Sequence, residues 1–563
     1  MYDLLIENAR IVDGTGALAY PGSLAVKDGR IVAMGDVHSR EARELIDAAG
    51  QVLAPGFVDP HTHFDAQIAW DSLLTPSAEH GVTTAVMGNC GVGVAPVRST
   101  MRDFLMGDLV NVEGIPQAVM EAGIDWQWEH FGDYMAAMDR RGLGINVAAL
   151  VAMTPMRHYA MGEASLSRAA TADEIATMTA SFAGAMEAGA FGYSTTREGV
   201  HVGYQGKPVA CRNASLDEHR ALCGVLRKAG RGNVELTLKL GGVVSREEHD
   251  FLELLLREST RPVTWLAVVN AAEQPASYQE RMAAVADLTA WDRAVPQTTC
   301  RPLRFQLNLA NPYILGVFPT WQPVMRLSRA EKLARYADPV FRQAFRDDLK
   351  NIPAFGKDIW SRFYVLDGVS EQARGLAKAG QSLRQLADAQ ARDPMDLLVE
   401  IAVEDELRTT FDMVALNYDA ADTTPLVQDD RLLIGLSDAG AHLDMLCDAG
   451  YSTHLLQRWV RETGALTLEQ GVQKLTSIPA QFFGITDRGV LAAGKAADLV
   501  IFDPATVACG DKEWAHDLPG GGRRFITRST GIRATIVGGA VLFENGAYRA
   551  GVRKGRMLRS YDA

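Results

Sequence analysis

Two rhythms of apolar and polar residues alternate along this chain. Near the start, "DLLIENARIVDGTG" and "GSLAVKDGRIVAMG" alternate apolar with polar positions and close on turn formers such as Asp28-Gly29. A period of two, bounded by turns, predicts short strands joined in hairpins. The texture returns in "AADLVIFDP" (496–504) and "ATIVGGAVLFENGAY" (534–548). Neither piece is large enough to enclose a core alone. Together, residues 1–55 and 490–563 are expected to form one small β-sandwich from both chain ends.

The middle reads differently. Continuous apolar, β-rich runs recur at 52–59, 82–88, 145–152, 188–194, 233–240, 262–269, 294–300 and 432–437, each followed by a helical pattern. Unbroken apolar runs belong to parallel strands buried on both faces. Strand and helix alternating eight times predicts an α/β fold, a (β/α)8 TIM-like barrel over 56–489, in preference to an open doubly wound sheet. One interval, about 301–431, is too long for a strand–helix unit. Its aromatic stretch "NPYILGVFPTWQPVMRLS" marks it as a lid or substrate wall at the barrel mouth, or else a packing or oligomer element.

Charge narrows the partners. The formal net charge of −13 disfavours nucleic acid and anionic membrane surfaces. No apolar run approaches the roughly 18 residues of a membrane span. The N-terminal stretch lacks a basic, signal-like segment, which points to the cytoplasm. The six cysteines, at 90, 211, 223, 300, 447 and 509, form no CxxC pair and are expected as reduced thiols. A chain of 563 residues needs no structural metal for stability, so a bound metal would serve chemistry.

His61 and His63, in "GFVDPHTHFD", stand at the end of the first run. Residues i and i+2 of a strand face the same way, so both imidazoles can grip one ion at a barrel mouth. The surrounding "APGFVDPHTHFD" resembles the first-strand signature of the amidohydrolase superfamily. "GVTTAVMGNCG" (81–91), "GAFGYSTTRE" (189–198) and "LLIGLSDAGAH" (432–442) resemble its D-aminoacylase branch, the N-acyl-D-amino-acid deacylases. "RGVLAAGKAADLVIFDP" (488–504) is similar to that family's return into the small β-domain. The resemblance spans essentially the whole chain. It implies Cys90 as a metal ligand, a role that suits a thiolate flanked by glycines. It implies Asp438 as both metal ligand and proton shuttle, beside the metal ligands His61, His63 and Cys90.

The chain departs from the branch where histidines of the fifth and sixth strands are expected. "NVELTLKLGG" and "PVTWLAVVN" contain none, and Met153 stands where the branch carries another. Three arrangements remain open. One zinc ion is held by His61, His63, Cys90 and Asp438; or His201 swings in from the fourth-strand loop; or Glu235 or Lys239 substitutes. One tightly bound zinc is favoured and a second is left undecided. Arg197 and Arg301 follow the fourth and seventh runs and are candidates, with His201 and His442, for binding substrate. A guanidinium can take a carboxylate by two parallel hydrogen bonds. Each arginine can equally be a rim salt bridge, and His442 a loop cap. His454 is a weaker candidate, and Trp126 and Trp128 are either acyl-pocket or core aromatics.

The implied activity is hydrolysis of a non-peptide C–N bond, most directly the deacylation of N-acyl-D-amino acids through a zinc-activated hydroxide. The alternatives are hydrolysis of a cyclic amide, lactam or hydantoin-like, and a non-catalytic scaffold. The expected partner is a small N-acyl amino acid or related amide, with neither nucleic acid nor membrane. Homo-oligomerisation is left open.

Overall fold

The computed structural model describes residues 1–37, 41–239, 243–270, 277–351 and 358–561. The end of the fifth run (residue 240) and residues 352–357 of the expected insertion lie outside that set.

Eight parallel strands close a barrel. They are Phe57–Asp59, Val82–Met87, Asn146–Ala149 continuing as Val151–Ala152, Gly192–Thr196, Asn233–Thr237, Val263–Leu266, Ala294–Thr298 and Leu433–Ile434. Each pairs in parallel with the next. A bridge between Thr62 and Ala439 joins the last strand's loop to the first. Every residue of strands one to six is buried, as expected of a sheet covered on both faces. The eighth is only two residues long because Gly435 to Asp438 turn into the barrel mouth.

The covering helices start where the sequence says they should. Ser215 accepts the Glu218 N–H and the Glu218 side chain returns the bond, opening Leu216–Ala229. Ser245 and Glu248 do the same for Arg246–Ser259. Such reciprocal caps satisfy donors the first helical turn leaves unpaired. Leu222, Cys223 and Leu226 of the first helix, and Leu252, Leu255 and Leu256 of the second, face the barrel core.

The chain ends meet in a nine-stranded sheet. Val52–Pro55 pairs in parallel with Tyr2–Ile11 on one side and antiparallel with Leu499–Phe502 on the other. The C-terminal strands therefore continue the sheet that the N-terminus begins. A separate ribbon, Ala508–Leu518 with Gly522–Thr530, leaves this domain and touches the barrel loops, where Phe525 N–H donates to Leu443 O. Beyond Tyr548 the chain runs back beneath the barrel. There Met557 bridges Val147, and Ser560 N–H donates to Gly189 O.

The long interval after the seventh strand folds around its own core. Leu303–Leu307, Phe363–Asp367 and Thr410–Leu416 form an antiparallel sheet. Trp321, Phe318 and Phe345 pack with Phe363 of that sheet, all fully buried. Among the described residues no helix is long and apolar enough to cross a membrane.

Candidate metal centre

Three strand ends and their loops deliver the side chains. His61 and His63 follow the first strand, and Thr62 between them turns away to donate Oγ1 to Val86 O. The imidazoles are buried, with ring centroids 5.2 Å apart. Cys90 sits in the turn after the second strand, at a left-handed φ of 56° between Gly88 and Gly91. A Cβ on Gly88 would lie 2.1 Å from Leu150 O, and one on Gly91 2.9 Å from Cys211 Sγ. Only glycine permits that approach. Asp438 follows the eighth strand at φ 45°, in a turn tied to the first strand by Ser437 Oγ donating to His61 O. Non-glycine residues held at positive φ are a mark of functional turns.

The donor atoms converge. His61, His63 and Cys90 each offer one atom within 4.8 Å of the others'. Cys90 Sγ lies 3.5 Å from His61 Nε2. Asp438 Oδ1 lies 3.4 Å from His61 Nε2 and 3.7 Å from His63 Nε2. Ideal zinc bond lengths place the corners of a tetrahedral shell about 3.4 Å apart for N and O, and about 3.6 Å for N and S. The three observed spacings match those edges, so His61, His63 and Cys90, with Asp438 facing both imidazoles, offer donors of the kind zinc takes.

The electrostatics agree. Burial holds His61 at a pKa of about 3, and burial with the neighbouring His61, His442 and His201 holds His63 well below the usual imidazole range. Both are the neutral form a metal needs. Burial, then Glu235, Glu113 and Asp438, pushes the Cys90 thiol well up. Burial, then Asp448 and Asp59, raises Asp438 to about 7. A pocket in which acids resist ionising together is one a divalent cation relieves.

Two buried carboxylates complete the centre. Glu113, at the C-terminal end of helix Arg102–Val112, sets Oε1 3.2 Å from His63 Nδ1. Glu235, on the fifth strand, sets Oε1 3.9 Å from His61 Nδ1 and accepts the Cys90 N–H at 2.7 Å. Glu235 was foreseen only as a replacement ligand. Glu113 was not foreseen, and the one trace it leaves is an acid inside the apolar stretch "LVNVEGI". Tyr313 of the long interval was also missed as a site residue. Its ring lies 6.0 Å from that of His442. Burial, then Glu113, Glu198, Cys90 and Asp438, pushes its phenol well up.

The remaining candidates divide. His201 stays near the centre, with Nδ1 2.9 Å from Thr196 Oγ1 and a pKa lowered by burial to about 3. His442 is lowered by burial to about 4, and its N–H donates to Glu113 O. Arg197 turns outward to Glu247 and over the Phe251 ring. Arg301 is half-buried against Asp448, 3.3 Å away, and Cys509. Both guanidiniums are thus engaged with protein groups, because acids and rings of the outer shell reach them first. Lys239 is exposed, His454 is half-buried on helix Tyr451–His454, and Met153 packs in the core. Trp128 lies in the main core and partly buried Trp126 packs against it, their tilted rings 5.6 Å apart, with Trp128 Nε1 donating to Val94 O. Beside Tyr313, Val110, Val200, Val202, Met325 and Lys332 help to line a cavity of about 640 Å³.

A family model described as "Amidohydrolase family" matches residues 44–543. N-acyl-D-aspartate deacylase of Alcaligenes xylosoxydans xylosoxydans is 28% identical over 100% of this chain and 96% of its own. N-acyl-D-glutamate deacylase of the same organism is 28% identical over 99% and 96%. The solved structure of N-acyl-D-glutamate deacylase from Bordetella bronchiseptica, complexed with zinc and a phosphonate inhibitor, superposes with a TM-score of 0.64 at 26% identity, covering 99% of each chain.

Proposed function

The chain belongs to the amidohydrolase family, and from that membership we propose that it hydrolyses the amide bond of N-acyl-D-amino acids with one zinc ion. The observation that supports this reading is the convergence of the His61, His63 and Cys90 donor atoms, with Asp438 Oδ1 3.4 Å from His61 Nε2. A non-catalytic scaffold would have no use for that set. His61, His63 and Cys90 would hold the ion, with Asp438 beside it. When bound, zinc supplies water activation near neutral pH and polarises the acyl carbonyl.

The chain's own groups do the rest. Asp438 accepts the proton of the attacking water and delivers it to the departing amine nitrogen. Its carboxylate, 3.4 Å from His61 Nε2 and 3.7 Å from His63 Nε2, stands where such a transfer is needed. His201 and His442, kept neutral by burial, offer the substrate hydrogen bonds without added charge. Tyr313 brings the long interval to the barrel mouth as a substrate wall, and the cavity beside it is large enough for an acyl group.

The test is metal counting on purified protein, paired with a chiral N-acyl amino-acid screen that includes hydantoins and lactams. One zinc per chain with turnover of D-enantiomers is the expected result. Turnover of cyclic amides alone, or full zinc with no amide hydrolysis, would overturn it.

A further inference from the structure

We propose that Glu113 and Glu235 are outer carboxylates of this centre, which set its metal affinity by fixing how His61 and His63 face the ion; this rests on the zinc reading above. Each imidazole turns Nε2 toward Asp438 and Nδ1 toward a glutamate. Both Nδ1 atoms, both Glu113 oxygens and Glu235 Oε1 are buried and have no hydrogen-bond partner among the described residues. Orphaned buried polar atoms are costly, and they are seldom left so without a role. Here they face one another in two pairs.

The pairing has a direct chemical result. An acceptor behind Nδ1 holds the proton on that nitrogen. The Nε2 lone pair is then free for the ion. Glu113 is placed to do this for His63, with Oε1 3.2 Å from Nδ1. Glu235 does two things. It faces His61 from 3.9 Å, and its other oxygen anchors the Cys90 turn through the N–H at 2.7 Å. One side chain therefore couples two ligands from different strands. Both carboxylates lie behind the rings, which assigns them to orientation and leaves the ion's own shell to the four groups in front.

The experiment measures zinc affinity by competition with a chromogenic chelator, in wild type, Glu113→Gln and Glu235→Gln, with circular dichroism and the melting temperature of each metal-free protein. Outer-shell losses typically weaken binding about 10–100-fold. Each variant is expected to fall by about tenfold or more with its metal-free melting temperature unchanged. Zinc K-edge absorption should report the same number of light-atom neighbours in wild type and variants. Affinities within threefold of wild type, or a lost oxygen neighbour in either variant, would overturn the proposal. If one variant fails to fold, the other decides by the same criteria, and Glu113→Asp, which keeps the charge, substitutes for Glu113→Gln. A wild type that binds no zinc would instead sink the zinc reading itself.

Discussion

Alanine at Gly440 should separate the placement of Asp438 from its chemistry. Gly440 has φ 94° and closes the turn that carries Asp438. A Cβ there would lie 2.6 Å from His63 O, 2.8 Å from His63 C and 2.9 Å from Phe64 Cδ1. Ordinary contact begins at about 3.4 Å, so the turn must retreat from the first strand by about 0.8 Å. That retreat works against the bond from His63 N–H to Ala439 O, now 2.8 Å. It also shifts Asp438 relative to both imidazoles. Left-handed backbone costs an alanine about 1–2 kcal/mol, and overpacking adds about 1–3 kcal/mol. Misplacing a reacting group by about 1 Å costs about 10²-fold in rate. Gly464→Ala is the control: φ there is 63°, with nothing within 4 Å of the new Cβ. Both variants should lose stability in urea, but only Gly440→Ala should lose about 10²-fold in kcat/KM at saturating zinc. A Gly440→Ala enzyme within threefold of wild type would refute the geometric reasoning.

Further outcomes follow from the same structure. Asp438→Asn should keep zinc while losing about 10²–10⁴-fold in turnover, the range for a lost proton-transfer group; metal content measured beside kcat decides. Removing zinc with a chelator should abolish amide hydrolysis, and added zinc should restore it; activity surviving full removal would contradict the proposed function. Trp321→Ala should destabilise the protein by about 3–5 kcal/mol, since Trp321 is fully buried edge-on to Phe341 and Phe345; a urea midpoint shift checks it. His80 is held by burial at a pKa of about 4, against an ordinary 6.5, beside Thr453 and Thr527. Its stabilising contribution is therefore complete above about 6.5 and is lost as pH falls toward 4, by an amount on the order of 3 kcal/mol. His80→Gln should flatten that part of the acid limb, read as the difference between the two proteins' urea midpoints at pH 6.5 and pH 4.

The barrel was legible because burial on both faces leaves an unbroken apolar run, and eight such runs leave few alternatives. His61 and His63 stood out through their i, i+2 spacing at a strand end, and Cys90 and Asp438 through the family resemblance of the segments that hold them; the fold brings these side chains to one rim. What escaped has a common physical cause. Glu113 ends a helix that packs over the mouth, and helix periodicity says nothing of which atom a terminal side chain faces. Tyr313 reaches the centre from a segment whose fold depends on its own core, so its position along the chain does not reveal where it lands. The guanidiniums of Arg197 and Arg301 sit at the expected strand ends, yet their orientation was decided by Glu247 and Asp448, contacts that only the folded chain creates.

The way the chain ends meet sets an order on biosynthesis. The N-terminal strand Tyr2–Ile11 is made first, but the sheet to which it belongs lacks its centre until Leu499–Phe502 leaves the ribosome. The floor beneath Val147 waits longer still, for Met557. A nascent chain would therefore carry an exposed strand edge while the barrel is being made, and chaperone demand should fall once Leu499–Phe502 and Met557 have emerged.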